Sequence, residues 1–152
     1  MLSTKSITAE TACAAGTLRR AARSLTRVYD AHLGHAGVTT AQFSILRTLQ
    51  RGVGGSLPLA TLANQLIFER TSLYRALVPL RRAGLVTVRA GIDRRSREVA
   101  LTRAGHRRIA TAMRHWLSAQ RSVVGRFGAL EWPRFAARVG HLTAIALTDD
   151  AG

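Results

Sequence analysis

The sequence predicts a mainly α-helical chain with one small β-hairpin, in the order ααααββαα. Apolar residues recur every three to four positions along most of the chain, which is the spacing of amphipathic helices. This spacing changes to every second position in residues 85–89 and 97–101, which indicates two short strands. The chain has 152 residues, of which 47% are hydrophobic, and this is enough for one core. We therefore expect one folded unit over residues 1–152.

Glycine and threonine residues mark the ends of the first two predicted helices. The first covers residues 17–33 and ends near Gly34, because glycine readily stops a helix. Thr39 or Thr40 can cap the second helix, which ends at the glycine-rich residues 52–55. Its inward-facing side chains are Phe43, Leu46 and Leu49.

Two shorter helices follow, separated by a brief interruption of the helical pattern. Pro58 suits the first turn of the third helix, and the fourth covers residues 69–83 before Gly84 ends it. The inward-facing residues of the fourth helix are Leu73, Ala76, Leu77 and Leu80. Pro79 lacks the N–H that would bond the carbonyl of Arg75, so we expect a kink or an early break there.

The second half of the chain contains the hairpin and two more helices. Residues 90–96 join the predicted strands in a long loop that is rich in arginine. Thr102 can cap a long helix whose apolar stripe continues to Phe127, and a last helix begins at Pro133.

The chain is strongly basic. It has a formal net charge of +15 at pH 7, and residues 69–108 hold eleven basic and three acidic residues. More than half of the net charge therefore lies in this segment, which indicates a local basic surface for a polyanion. All the basic residues except Lys5 are arginines. A GC-rich genome would also produce that bias, so an enzyme that binds no DNA is an alternative.

Several other classes of protein are excluded. The longest stretch without a formal charge, residues 52–68, contains Pro58, Asn64 and Gln65 and cannot span a membrane. No apolar run of signal-peptide length precedes Arg19, so we expect a cytoplasmic protein. No catalytic motif or glycine-rich phosphate loop is present, so we expect neither an enzyme nor a cofactor.

The third and fourth helices and the hairpin together predict a winged helix-turn-helix over residues 36–101. When the inward-facing residues of the fourth helix are set aside, its first turn and a half presents Arg70, Thr71, Ser72, Tyr74 and Arg75. Arginine can form two hydrogen bonds to guanine, and threonine or serine can bond a base edge or a phosphate. We therefore expect this face to bind double-stranded DNA in the major groove. An ordinary solvated helix face is the alternative.

The tip of the hairpin is expected to bind the minor groove. It contains Arg94, Arg95 and Arg97 beside the single carboxylate of Asp93. The negative potential of the minor groove attracts inserted arginine side chains. Asp93 can hold one guanidinium extended through a charge-assisted hydrogen bond.

Several stretches of the sequence together resemble the MarR (multiple antibiotic resistance regulator) family of winged helix-turn-helix proteins. They are residues 62–73, 80–86, 93–97 and 101–105, and the resemblance extends over about residues 15–148. It implies a homodimeric transcriptional regulator, usually a repressor, that binds a pseudo-palindromic operator and is often released by a small effector. In that family the arginine two residues after the wing aspartate enters the minor groove, which here is Arg95.

The remaining helices are expected to form a dimerisation part over residues 10–34 and 102–148. They carry more apolar surface than a winged domain of about 65 residues could cover alone. A second subunit would cover it.

A cleft between the long helices and the winged domain is the predicted effector site. Its candidate lining residues combine apolar and aromatic walls with one hydroxyl and one imidazole: Tyr29, His32, Phe43, Leu46 and Met113. The arginine-rich surroundings favour an anionic aromatic ligand. The alternative is that these residues simply form core.

Two other candidate input sites are weaker. Cys13, the only cysteine, could sense oxidants, as some members of the MarR family do with a single cysteine in the first helix. A small packed residue among its alanine neighbours is the alternative. His32 and His35 could share a metal, but the negative end of a helix also explains them, and we expect no metal site.

We therefore expect a sequence-specific DNA-binding regulator. The alternatives are a redox-sensing regulator that uses Cys13 and an architectural protein that coats nucleic acid without sequence preference. The ratio of affinities for operator and random DNA separates a specific regulator from an architectural protein.

Overall fold

The computed structural model describes residues 13–91 and 96–149. In chain order its elements are α1 (Ala14–Leu33), α2 (Thr40–Arg51), β1 (Ser56–Pro58), α3 (Leu59–Leu66), α4 (Arg70–Arg82), β2 (Val86–Ala90), β3 (Arg97–Leu101), α5 (Arg103–Phe127) and α6 (Trp132–Asp149). Short 3₁₀ turns, Gly34–Ala36 and Val53–Gly55, follow α1 and α2. The predicted mainly α fold with a small β wing is confirmed.

The core lies where α2, α3 and α4 meet the sheet and the first half of α5. Its largest fully buried side chains are Leu33, Ile45, Leu46, Leu49, Leu62, Leu73, Leu77, Leu80, Val99 and Ile109. These include three of the four residues predicted to face inward from α4, and Ala76 packs against the same cluster partly buried. The helical periodicity therefore identified the buried side of α4 correctly.

The sequence does not predict β1, which adds a third strand to the hairpin. It pairs antiparallel with β3, and the strand order is β1-β3-β2. β1 is only three residues long, so it has no alternating pattern to recognise. Pro58 ends this strand, and α3 begins at Leu59, so the expectation that Pro58 lies in the first turn of α3 is wrong.

Threonine side chains fix the starts of α2 and α5, as predicted. The Oγ1 of Thr39 accepts the N–H of Gln42 at 3.2 Å, and the Gln42 side chain accepts the N–H of Thr39 at 2.9 Å. The Oγ1 of Thr102 accepts the N–H of Gly105 at 3.0 Å and donates to the carbonyl of Gly84 at 2.6 Å. This second bond ties the start of α5 to the turn between α4 and β2.

The expected break at Pro79 is not found, because α4 continues to Arg82. The proline removes only one N–H, and the N–H of Ala83 still donates to the Pro79 carbonyl at 3.0 Å. Leu77 and Leu80 are both about 1% exposed and anchor the helix to the core on either side of the proline. Packing therefore keeps the last turn of α4 helical.

The first helix joins this core through Leu33 and Tyr29, whereas no described residue of α6 belongs to it. Tyr29 of α1 donates from its hydroxyl to the side chain of Gln120 of α5. No described side chain of α6 is buried. No helix in the described ranges is long and apolar enough to cross a membrane.

Candidate nucleic-acid interface

The outer side of α4 carries the predicted DNA-reading residues. Arg70, Thr71, Ser72, Tyr74 and Arg75 are all exposed, opposite the buried leucines. The predicted orientation of this face is therefore confirmed, while its contacts with DNA stay a prediction.

The N-terminal end of α4 offers main-chain donors on the same side. Glu69 precedes the helix and makes no side-chain capping bond, and the first turn contains no acidic residue. The first N–H groups of a helix have no partners within the helix, and they attract phosphate oxygens. The start of α4 is thus suited to an anion.

A cleft between α4 and the start of β3 brings three of the predicted residues together. It has a volume of about 240 Å³ and is lined by Pro58, Leu59, Ala60, Arg70, Tyr74, Ser96 and Arg97. We call it the anion cleft, because two arginines and a tyrosine line it and none of its described lining residues is acidic. Such donors suit the phosphate backbone of DNA.

The wing consists of β2, β3 and the residues between them. Arg97 begins β3 and is exposed. Asp93, Arg94 and Arg95 lie outside the described residues, so their predicted roles at the minor groove stay predictions.

Few basic side chains form an ion pair in the described part of the chain. Across residues 13–91 and 96–149, the only ion pair joins Arg89 Nε to Glu98 Oε2 at 2.8 Å. The first turns of α4 and α5 contain no acidic residue. The remaining charge produces a positive potential that attracts a polyanion.

The turn between α3 and α4 contains a feature that the sequence does not reveal. Ile67 has φ 54°, ψ 46°, in the left-handed region that branched residues avoid. The N–H of the next residue, Phe68, donates to the carbonyl of Ala63 at 2.9 Å and closes the turn. This backbone sets the position of α4 relative to α3.

The five predicted effector residues differ in their burial and contacts. Leu46 is fully buried, and His32 Nδ1 lies 2.9 Å from the carbonyl oxygen of Val28; Phe43 is 4% exposed but lines the cleft described in the next paragraph. Burial raises the pKa of Tyr29. Met113 packs against the core. A role for these residues in effector binding stays a prediction.

A different cleft, which the sequence does not predict, lies between α2, α3 and α5. We call it the aromatic cleft; its volume is about 360 Å³ and it is lined by Phe43, Ser44, Arg47, Thr48, Arg51, Gln65, Leu66 and Trp116. The ring centroids of Phe43 and Trp116 are 6.4 Å apart. Arg47 follows Phe43 by one helical turn, so the sequence places these two side chains on the same face of α2. Nothing in the sequence indicates that Trp116 lies beside them.

Cys13 and the histidines occupy separate places. Cys13 is exposed and accepts the N–H of Gly16 through Sγ at 3.4 Å, so it is not packed among its alanine neighbours. The rings of His35 and His115 stack with centroids 5.6 Å apart. In the part of the chain that the structure describes, no three histidine, cysteine or acidic residues form a metal-binding group.

Solved structures provide the comparisons. The chain is similar to the transcriptional regulator MosR of M. tuberculosis in complex with DNA, with 36% identity and a TM-score of 0.82 over 90% of this chain and 98% of MosR. It is also similar to Sco5413, a MarR family transcriptional regulator from Streptomyces coelicolor, with 25% identity and a TM-score of 0.77 over 88% and 92% of the two chains. A third similar structure is NadR in complex with 4-hydroxyphenylacetate, with 25% identity and a TM-score of 0.69 over 93% and 97%. No protein-family model and no curated protein sequence matches the chain.

Proposed function

The chain belongs to the MarR family of DNA-binding transcriptional regulators, and from that premise we propose that it is a cytoplasmic repressor that binds a pseudo-palindromic operator as a homodimer. The observation that carries the proposal is the anion cleft beside the exposed outer face of α4. It provides donors for the DNA backbone next to side chains that can read bases. The proposal includes no catalytic step, since the structural neighbours are transcriptional regulators.

In the proposed complex, α4 enters the major groove. Thr71 and Arg75 contact base edges, because they are exposed opposite the buried side of the helix. Arg70 and Arg97 hold the phosphate backbone in the anion cleft. The wing then continues to the neighbouring minor groove, where Arg95 inserts.

The homodimer is proposed because α6 has no buried face of its own. Four of its large apolar side chains are exposed: Phe135 41%, Leu142 38%, Ile145 45% and Leu147 50%. Phe127 at the end of α5 is 48% exposed and contacts the rings of Trp132 and Phe135. A second copy that packs against these residues would cover the apolar surface and place two α4 helices on successive half-sites.

The effector of the proposed repressor is an anionic aromatic molecule that binds in the aromatic cleft. Phe43 and Trp116 provide ring walls, and Arg47 and Arg51 provide positive charge. The class of ligand is supported by NadR, which was crystallised with 4-hydroxyphenylacetate. An effector releases DNA only if it binds the free dimer more tightly than the operator complex.

Fluorescence anisotropy with the inverted repeat nearest the gene tests this function. A specific regulator binds that repeat about 10³-fold or more tightly than random DNA, and the difference persists over a salt series. A ratio near one would identify an architectural protein. Transcription in vitro from the adjoining promoter should fall when the protein is added and recover with 4-hydroxyphenylacetate or a related phenolic acid. Activation instead of inhibition would contradict the repressor assignment.

A further inference from the structure

A second cleft on the winged domain lies away from the proposed DNA-binding residues. We call it the edge cleft; its volume is about 510 Å³ and it is lined by Val78, Arg81, Arg82, Val86, Thr87 and Val88. It shares no lining residue with the anion cleft. It lies at the C-terminal half of α4, whereas the proposed base contacts belong to the N-terminal half. A ligand there need not compete with DNA.

One side of the edge cleft is the free edge of the sheet. β2 pairs with β3, and no other described strand pairs with β2 on its outer side. The N–H of Gly91 donates to the carbonyl of Ser96 at 3.0 Å, and the N–H of Thr102 donates to that of Leu85 at 3.1 Å. These two bonds show which residues of β2 direct their main-chain groups toward β3.

Alternate residues of β2 therefore present their main chain outward. The register pairs Thr87 with Ala100 and Arg89 with Glu98. Hydrogen-bonded pairs recur at every second residue of an antiparallel ladder, so these two pairs belong to the same hydrogen-bonded set as the two pairs above. The N–H and C=O groups of the intervening Val88 and Ala90 consequently point away from β3. Main-chain groups in this arrangement are a template for another extended chain.

The other side of the edge cleft selects the chemistry of that chain. Arg81 and Arg82 are exposed, and none of the described residues that line the cleft is acidic. Val78 is 40% exposed and offers an apolar contact beside Val88. A DNA backbone supplies only acceptors and would leave the outward carbonyls unmatched, whereas an extended peptide supplies donors and acceptors in alternation.

We propose that the edge cleft binds an extended acidic segment of a partner protein, which adds as a fourth strand beside β2. Its acidic side chains would pair with Arg81 and Arg82, and its apolar side chains would contact Val78. This interaction goes beyond the proposed repressor function. It allows the regulator to contact another protein while it occupies its operator.

The test measures the binding of labelled octapeptides to the full-length protein by fluorescence anisotropy. Three sets alternate valine with glutamate, serine or lysine. The glutamate set should bind saturably and shift the amide resonances of Val88 and Ala90. The double variant Arg81→Glu/Arg82→Glu should weaken this binding about tenfold or more, because it replaces both cations by repelling charges. The matched variant Arg19→Glu/Arg20→Glu makes the same charge change at exposed positions of α1 and should leave binding unchanged.

A second variant tests the strand addition itself. Val88→Pro removes one outward N–H without removing a hydrogen bond to β3, so it should abolish peptide binding and leave the hairpin paired. Equal binding of all three peptide sets, or an absence of saturable binding, would overturn the proposal. Competition by operator DNA would assign the cleft to DNA instead. Self-association that the double arginine variant abolishes, without peptide binding, would assign it to a second copy. The peptide measurement needs no operator, so its failure is distinct from failure of the proposed repressor function.

Discussion

Arg89 donates through Nε to Oε2 of Glu98 over 2.8 Å, directly across the two strands of the wing. The other oxygen of this carboxylate accepts the hydroxyl of Ser56 in β1. One side chain therefore connects all three strands. The hydrogen bond from Arg89, followed by that from Ser56, lowers the pKa of Glu98 below its ordinary value of 4.5.

The first prediction concerns the pH dependence of this connection. Because the pKa of Glu98 is lower in the folded chain, its contribution to stability is present above pH 4.5 and is lost as the pH falls through the lowered pKa. An NMR titration of the carboxyl carbon should give a midpoint below 4.5, and Arg89→Ala should raise it. The control Arg103→Ala removes an exposed guanidinium from α5 and should leave the midpoint of Glu98 unchanged. An unchanged midpoint in Arg89→Ala would show that another group lowers the pKa.

Arg75→Ala should relax the base preference of DNA binding. If Arg75 forms two hydrogen bonds to guanine, its loss costs about 1–3 kcal/mol at that base pair and little at a site with another base there. A competition assay with every single-base operator variant would locate one affected position in each half-site. Arg121→Ala, on an exposed position of α5, is the matched control. A uniform loss across sequences would make Arg75 a phosphate contact.

Arg97→Ala should behave differently, because Arg97 lies in the anion cleft and is proposed to hold the backbone. Affinity for operator and random DNA should fall by the same factor. The slope of log affinity against log salt should become shallower by about 1, since one fewer phosphate is neutralised. A loss confined to the operator would argue against a backbone contact.

Much of the fold could be predicted because it depends on local patterns. The period of the apolar residues located the helices, and the change of period located β2 and β3. Contacts between distant parts of the chain could not be predicted. Phe43 and Trp116 are far apart in the sequence, and the strand partner of β1 becomes known only from the register with β3. The break expected at Pro79 is absent because tertiary packing outweighs the local loss of one hydrogen bond.

Relief of the left-handed backbone at Ile67 should stabilise the protein. Ile67 is 59% exposed, so its replacement removes little packing, and asparagine tolerates its φ of 54° better than a branched residue does. Ile67→Asn should raise the free energy of unfolding by about 1 kcal/mol in urea titrations. Val53→Asn is the control, because Val53 is 95% exposed and has a negative φ. A loss of stability in Ile67→Asn would mean that the isoleucine side chain contributes more than its backbone costs.

The last prediction tests the dimer through two neighbouring residues of α6. Ile145 is 45% exposed and shares the apolar stripe of this helix with Leu142, whereas Ala144 lies off that stripe. Ile145→Asp places a charge in the proposed interface. Ala144→Asp places the same charge on the neighbouring residue, outside that interface. Sedimentation should give a monomer for the first and a dimer for the second.

Operator affinity should fall in the Ile145→Asp variant and stay unchanged in the Ala144→Asp variant. Two half-sites held by one dimer are bound with a high effective concentration, so a monomer should lose about 10²-fold or more in operator affinity. Affinity for a single half-site should change little, because no described residue of α6 belongs to the core cluster around which α4 and the wing pack. A dimeric Ile145→Asp variant with intact operator binding would place the subunit interface on another surface.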